Sequence, residues 1–210
     1  AVLIWLIPRD SAPEGNPRKL LGNFWQVLQY PPALVALSVG ISATIANEVI
    51  NLMFGVWMEA SFDLKVIALG GAAAVIGAAE LSAETLTATL ADRLGKVRSI
   101  AIGLIANSIA ALAFPLIGGT LPGAIISLFL FFITFEFLLV SSIPMMTEIM
   151  PGSRATLMAF NVAGLSLGRA IGSFIAPTLF GWGIAASAGA AIFFDLLALL
   201  AVRRLAQTVS

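Results

Sequence analysis

The stretch LKVIALGGAAAVIGAAELSAETLTATLADRLGKVRSIAIGLIANSIAALAFPLI (64–117) holds two long apolar runs joined by a loop in which Arg93, Lys96 and Arg98 crowd together. Each run is long enough to cross the ~30 Å hydrocarbon core of a bilayer as an α-helix. The same alternation extends in both directions, with apolar runs at 33–57, 64–90, 99–117, 122–149, 153–180 and 183–202. Of the 11 lysines and arginines, nine precede the first run or follow the second, fourth or sixth: Arg9, Arg18, Lys19, Arg93, Lys96, Arg98, Arg154, Arg203 and Arg204. Lys65 falls on the opposite side, and Arg169 sits inside a run. Loops that stay cytoplasmic retain positive charge, so this asymmetry predicts six spans with both ends inside.

Composition points the same way. Mean hydropathy is +1.03. Only 10% of residues are charged, far below the ~25% of soluble domains. With no cysteine and no histidine in the chain, thiolate nucleophiles, His-based zinc sites and Ser-His-Asp triads are excluded. An enzyme would have to work through carboxylates, and no enzymatic role is expected.

The chain opens with AVLIWLI (1–7), too short to span and without a basic leader. We expect it to be the cytoplasmic end of an earlier helix. Residues 8–32 read as a cytoplasmic linker, beginning with the Pro-rich PRDSAPEGNP (8–17). In KLLGNFWQVLQY (19–30), Leu20, Leu21, Phe24, Trp25 and Leu28 share one helical face. That pattern suits a short amphipathic helix in the membrane interface, or a linker whose apolar residues touch protein. Residues 205–210 form a cytoplasmic tail.

Between the second and third runs the chain reads Ala88-Thr-Leu-Ala-Asp92-Arg93-Leu-Gly95-Lys96-Val97-Arg98. This resembles the loop signature of the major facilitator superfamily, G-x-x-x-D-R-x-G-R-R, found between helices 2 and 3 and between helices 8 and 9. Asp92, Arg93, Gly95 and Lys96 match. Ala88 replaces the first glycine, and Val97 takes the second basic place with Arg98 one residue later. Met150-Pro-Gly-Ser-Arg154 and the run Gly164-x-x-x-Gly168-x-x-x-Gly172 look like the eleventh helix of drug-efflux members, though small residues four apart also serve plain helix packing. The resemblance implies an all-α, polytopic fold: six transmembrane helices forming one half of a major facilitator transporter, helices 7–12, as an inverted three-plus-three repeat. It also implies a missing N-terminal six-helix half, alternating access, and a latch role for the loop carrying Asp92, Arg93, Gly95, Lys96 and Arg98. Those basic residues serve topology as well.

Ionisable groups at mid-bilayer are costly, so each needs a partner, water or a function. The first span carries Gly40, Thr44, Asn47, Glu48, Asn51 and Gly55 on one stripe, so that face must meet protein or water. Glu48 near the midplane, flanked by amides, admits a transport role or a structural one. The second span places Glu80 and Glu84 four residues apart on one face, toward the signature loop. Glu80 is the proton candidate, and Glu84 is expected to join a structural network with Arg93 or Arg98. Glu136 lies in the fourth span among Phe129, Phe131, Phe132, Phe135 and Phe137, and with Glu48, Asn47, Asn51, Glu80 and Arg169 it is expected to line a substrate and proton pathway. Arg169, with Ser166 and Ser173, is expected to need a carboxylate, and Asp195, Glu48 and Glu136 all lie at similar depth. Asp195 is expected to be a structural partner, and Arg169 to be able to bind an anionic substrate. Glu48 pairs in offset with Glu136, and Glu80 with Arg169, as an inverted repeat would have it. Pro115, Pro144 and Pro177 are expected to kink their helices.

These readings combine into an expected proton-coupled efflux permease, of the drug or sugar antiporter kind, in a bacterial-type inner (plasma) membrane. Its partners would be the lipid bilayer, a small-molecule substrate and protons, with no nucleic acid. It would use no cofactor or metal beyond the proton gradient. The rival reading is a non-transporting scaffold or sensor on a degenerate transporter fold.

Overall fold

In the computed structural model, which describes residues 17–209, the chain is all-helical. Helix α1 (Pro17–Gln29) leads through Tyr30 into α2 (Pro31–Asn51) and α3 (Phe54–Phe62). Four long helices carry most of the rest: α4 (Val66–Leu94), α5 (Lys96–Ile117), α6 (Leu121–Ile149) and α7 (Arg154–Gly181). The last is α8 (Ile184–Val209), and a 3-10 turn at Pro151–Ser153 precedes α7. Six segments are long and apolar enough to cross a membrane, and α2 with α3 counts as one of them. This is a multi-pass membrane protein. Residues 1–16, including the expected end of an earlier helix, lie outside the described residues.

Helix limits follow local chemistry. Pro31 and Pro32 open α2, where their missing N–H groups cost nothing and Tyr30 is extended. Thr120 caps α6, its hydroxyl accepting from the Gly123 N–H at 3.2 Å, with Pro122 in the first turn. Gly95, at φ 81°, closes α4 and opens α5 in a single residue. A side chain would be strained there, so the tight basic turn depends on glycine. The helices run unbroken through Pro115, Pro144 and Pro177. The first span is instead interrupted at Leu52–Met53, where no proline forces it.

The packing has a two-part order. The main contacts are α2 with α7 and α8, α6 with α4 and α5, and α5 with α8, while α2 also meets α6. Exchanging the first three spans for the last three maps this set onto itself: α2·α7 becomes α6·α4, α2·α8 becomes α6·α5, and α5·α8 is unchanged. Three spans is an odd number, so the first and last three helices run in opposite senses along the bundle.

Two apolar blocks fill the interior. One, toward the basic end, joins Val27, Leu37, Leu104, Leu138, Met146, Leu157 and Leu205. The other, toward the opposite end, joins Ile50, Trp57, Phe114, Leu128, Phe131 and Ala191. In the second block Trp57, Phe114, Phe131 and Phe132 contact in series, edge to face, at 5.5, 5.6 and 5.7 Å between ring centres. Arg93, Lys96, Arg98, Arg154, Arg203 and Arg204 all lie at the first end, whereas Glu59, Asp63 and Lys65 lie at the second.

Candidate functional site: a polar layer at mid-membrane

Each span carries at least one strongly polar residue within about two positions of its centre. These are Glu48, Glu80, Asn107, Glu136, Arg169 and Asp195. Glu80 is the central residue of α4, so it lies deeper than its expected place near the signature loop. The layer divides the two apolar blocks and has a closed side and an open side.

The closed side lies between α5 and α8. Asn107 and Asp195 are both fully buried, and each is the twelfth residue of its helix, counted from Lys96 and Ile184. The Asn107 amide donates to Asp195 Oδ2 at 2.9 Å, and the Ser108 hydroxyl donates to the same oxygen at 3.5 Å. The Thr134 hydroxyl of α6 donates to the Asn107 side-chain oxygen, Oδ1, at 3.0 Å. Three helices are thereby tied through one amide. The hydrogen-bond partner of Asp195 is Asn107, not Arg169. The reason is topological: α8 packs broadly on α5, and its contact with α7 is slight. The equal offsets of Asn107 and Asp195 are the one sequence signal that points to this pair.

The open side is lined by α4, α6 and α7. Glu80, Glu84 and Arg169 are exposed, and Glu136 is half-buried. Glu136 lies within the electrostatic reach of Glu80, Glu84 and Arg169. Three acids and one guanidinium from three helices thus converge on one face. Among the described residues no carboxylate comes within ion-pair distance of Arg169, contrary to expectation. Arg169 is exposed, whereas Glu48 and Asp195 are buried between helices and hydrogen-bonded to Ser173 and Asn107 instead. Glu84 likewise makes no ion pair with Arg93 or Arg98. It stands ten residues before the end of α4, and at ~1.5 Å per residue that is about 15 Å from the turn.

Glu48 belongs to the seam between α2 and α7. The glycines of α7 make this seam close: an added Cβ on Gly168 would sit 2.7 Å from the Ile41 carbonyl oxygen, and one on Gly172 would sit 2.6 Å from the Glu48 Cβ. Ile41, Thr44, Ile45 and Glu48 of α2 meet this track, so the glycine run is a packing device. Glu48 is 9% exposed and accepts from the Ser173 hydroxyl at 3.1 Å. Asn47 is buried with its side-chain oxygen unpartnered, while Asn51 is half-buried beside the Leu52–Met53 break. Backbone bonds still cross the break, the Leu52 N–H donating to the Glu48 carbonyl at 3.0 Å and the Met53 N–H to the Ile50 carbonyl at 3.1 Å. Nothing in the sequence marks that break.

At the basic end, Arg93 and Arg98 are exposed on either side of Gly95, and Asp92 ends α4 with its side chain outside the described residues. Lys96 forms an ion pair with Glu148 at the foot of α6. Arg154 donates through Nε to the Thr147 carbonyl at 2.9 Å. The basic loop around Gly95 is therefore tethered to the fourth span, through a glutamate that no sequence motif singles out.

No family model, curated protein or solved structure matches the chain.

Proposed function

We propose that this chain is half of an alternating-access transporter of the major facilitator kind, moving a small molecule against or with protons. The observation that carries the reading is the open side of the polar layer, with Glu80, Glu84, Glu136 and Arg169 at one face. Carboxylates at this depth bind and release protons when water reaches them, and such groups mark proton paths in membrane carriers. The exchange symmetry of the helix contacts supports the inverted repeat, in which sites lie near the midplane at the repeat boundary. The loop from Asp92 to Arg98, tethered by Lys96 to Glu148, supports a gate at the basic end, which in this reading faces the cytoplasm.

In the cycle we envisage, Glu136 and Glu80 take up protons from one side and give them up on the other. Arg169 supplies a fixed positive charge that holds an anionic group of the substrate or tunes these acids. The exposed faces of α4 and α7 meet a second six-helix unit across the substrate cavity.

The test is transport in sealed vesicles carrying a pH-sensitive dye. The protein should dissipate an imposed pH gradient when its substrate is added. Glu136→Gln and Glu80→Gln should abolish the proton movement while expression and melting temperature persist. Proton movement unchanged in both variants would remove these acids from the mechanism, and its absence from the parent protein across a broad substrate panel would favour the scaffold reading.

A further inference from the structure

We infer that α1 is a membrane-surface helix, seated in the lipid headgroup layer at the basic end and braced against the feet of α2 and α7. Its depth is fixed at three points. Its last residue, Gln29, is one residue from the start of the first span, and the extended Tyr30 (φ −102°, ψ 100°) turns the chain between them. Gln26 accepts a hydrogen bond from the Ser153 hydroxyl, at the start of α7, at 3.2 Å. Phe24 packs on Phe160, 4.9 Å between ring centres. Phe160 lies six residues into α7, which at ~1.5 Å per residue is about 9 Å inward from the helix end. The helix therefore folds back along the rim of the bundle, at the level where the spans leave the hydrocarbon, and does not project into water.

Its two sides then meet different surroundings. Val27 is fully buried against the bundle. Trp25, two residues earlier and so on the opposite side of the helix, is 58% exposed, and Tyr30 is 40% exposed. Exposed tryptophan and tyrosine at the level of the helix ends are what a bilayer interface selects, since the ring enters the apolar boundary while its N–H or O–H stays hydrated. Arg93, Arg98 and Arg203 are exposed at the same end, which matches an anionic lipid surface. The occupant of the Trp25 face is thus the headgroup layer itself. Because α1 touches both α2 and α7, lipid that holds Trp25 also holds the base of the seam carrying Glu48 and Gly172.

The chain has no cysteine, so single-cysteine variants can be spin-labelled without background. In vesicles of phosphatidylethanolamine and phosphatidylglycerol, Trp25→Cys is compared with Ile105→Cys, on the outer face of α5, and Gly152→Cys, in the loop before α7. The ratio of oxygen to nickel-chelate collisions at position 25 should fall between those two, and should rise toward the Ile105 value as phosphatidylglycerol is increased. A ratio equal to that at Gly152 would place the helix in water and overturn the inference. Low accessibility to both reagents would mean that a protein segment covers position 25, and would overturn it equally. This experiment needs only the membrane assignment, so its failure would leave the transport proposal untouched.

Discussion

Asn107 with Asp195, and Glu80 with Arg169, occupy corresponding places in the two repeats, yet the first pair is locked together and the second stands open. Both pairs lie at mid-membrane, and both join a third-span or second-span residue to its counterpart three spans later. The first pair faces across α5·α8, the contact that the repeat exchange maps onto itself, so its members meet at 2.9 Å. The second pair is borne by helices whose inner faces pack on α6 and α2 and whose outer faces are bare. Whether the two bearing helices pack on each other, as α5 and α8 do, decides which polar pair is locked together.

The contrast can be broken by substitution. Asp195→Leu leaves the buried Asn107 amide without its acceptor and should destabilise the bundle by about 1–3 kcal/mol, read as a lowered thermal midpoint in detergent. Asp195→Asn keeps an acceptor oxygen and should cost visibly less. Next in size is Gly172→Ala, whose Cβ would fall 2.6 Å from that of Glu48. Forcing α7 away from α2 should cost about 1–3 kcal/mol, and the Ser173–Glu48 bond should loosen with it.

Gly77→Ala sharpens the comparison, because nothing lies within 4 Å of a Cβ at that position on α4. There the bundle should gain up to about 1 kcal/mol from the better helix former. A loss of transport with that gain would put a second unit against the α4 face. Smallest of all, Arg169→Gln should change thermal stability by no more than about 0.5 kcal/mol, as for other exposed sites. A large loss would mean that Arg169 has a partner on the closed side and would end the distinction drawn between the two pairs.

Much of the fold is legible in the sequence because hydropathy and charge act over long segments. Spans predicted at 99–117 and 122–149 correspond to the helices Lys96–Ile117 and Leu121–Ile149, since every backbone group in lipid must be satisfied within its own helix. Partners across the membrane are less legible. Arg169 and Asp195 share a depth, and depth is what a linear reading supplies. Which helix faces which is set by side-chain packing, and the glycine track of α7, recognisable as a motif, gives no hint that Glu48 is the residue pressed against it. Glu148 escapes notice because one glutamate at a helix end reads as ordinary solvation until a lysine 52 residues away is brought beside it. The interruption at Leu52–Met53 has no local marker, so only tertiary context accounts for it.

The separation of the apolar interior into two blocks by the polar layer has a mechanical consequence. A continuous core would have to loosen along its whole length for either mouth of the bundle to widen. Here the aromatic chain from Trp57 to Phe132 and the leucine and methionine packing around Leu138 and Met146 are separate sets of contacts. A substitution in one block therefore leaves the packing of the other untouched.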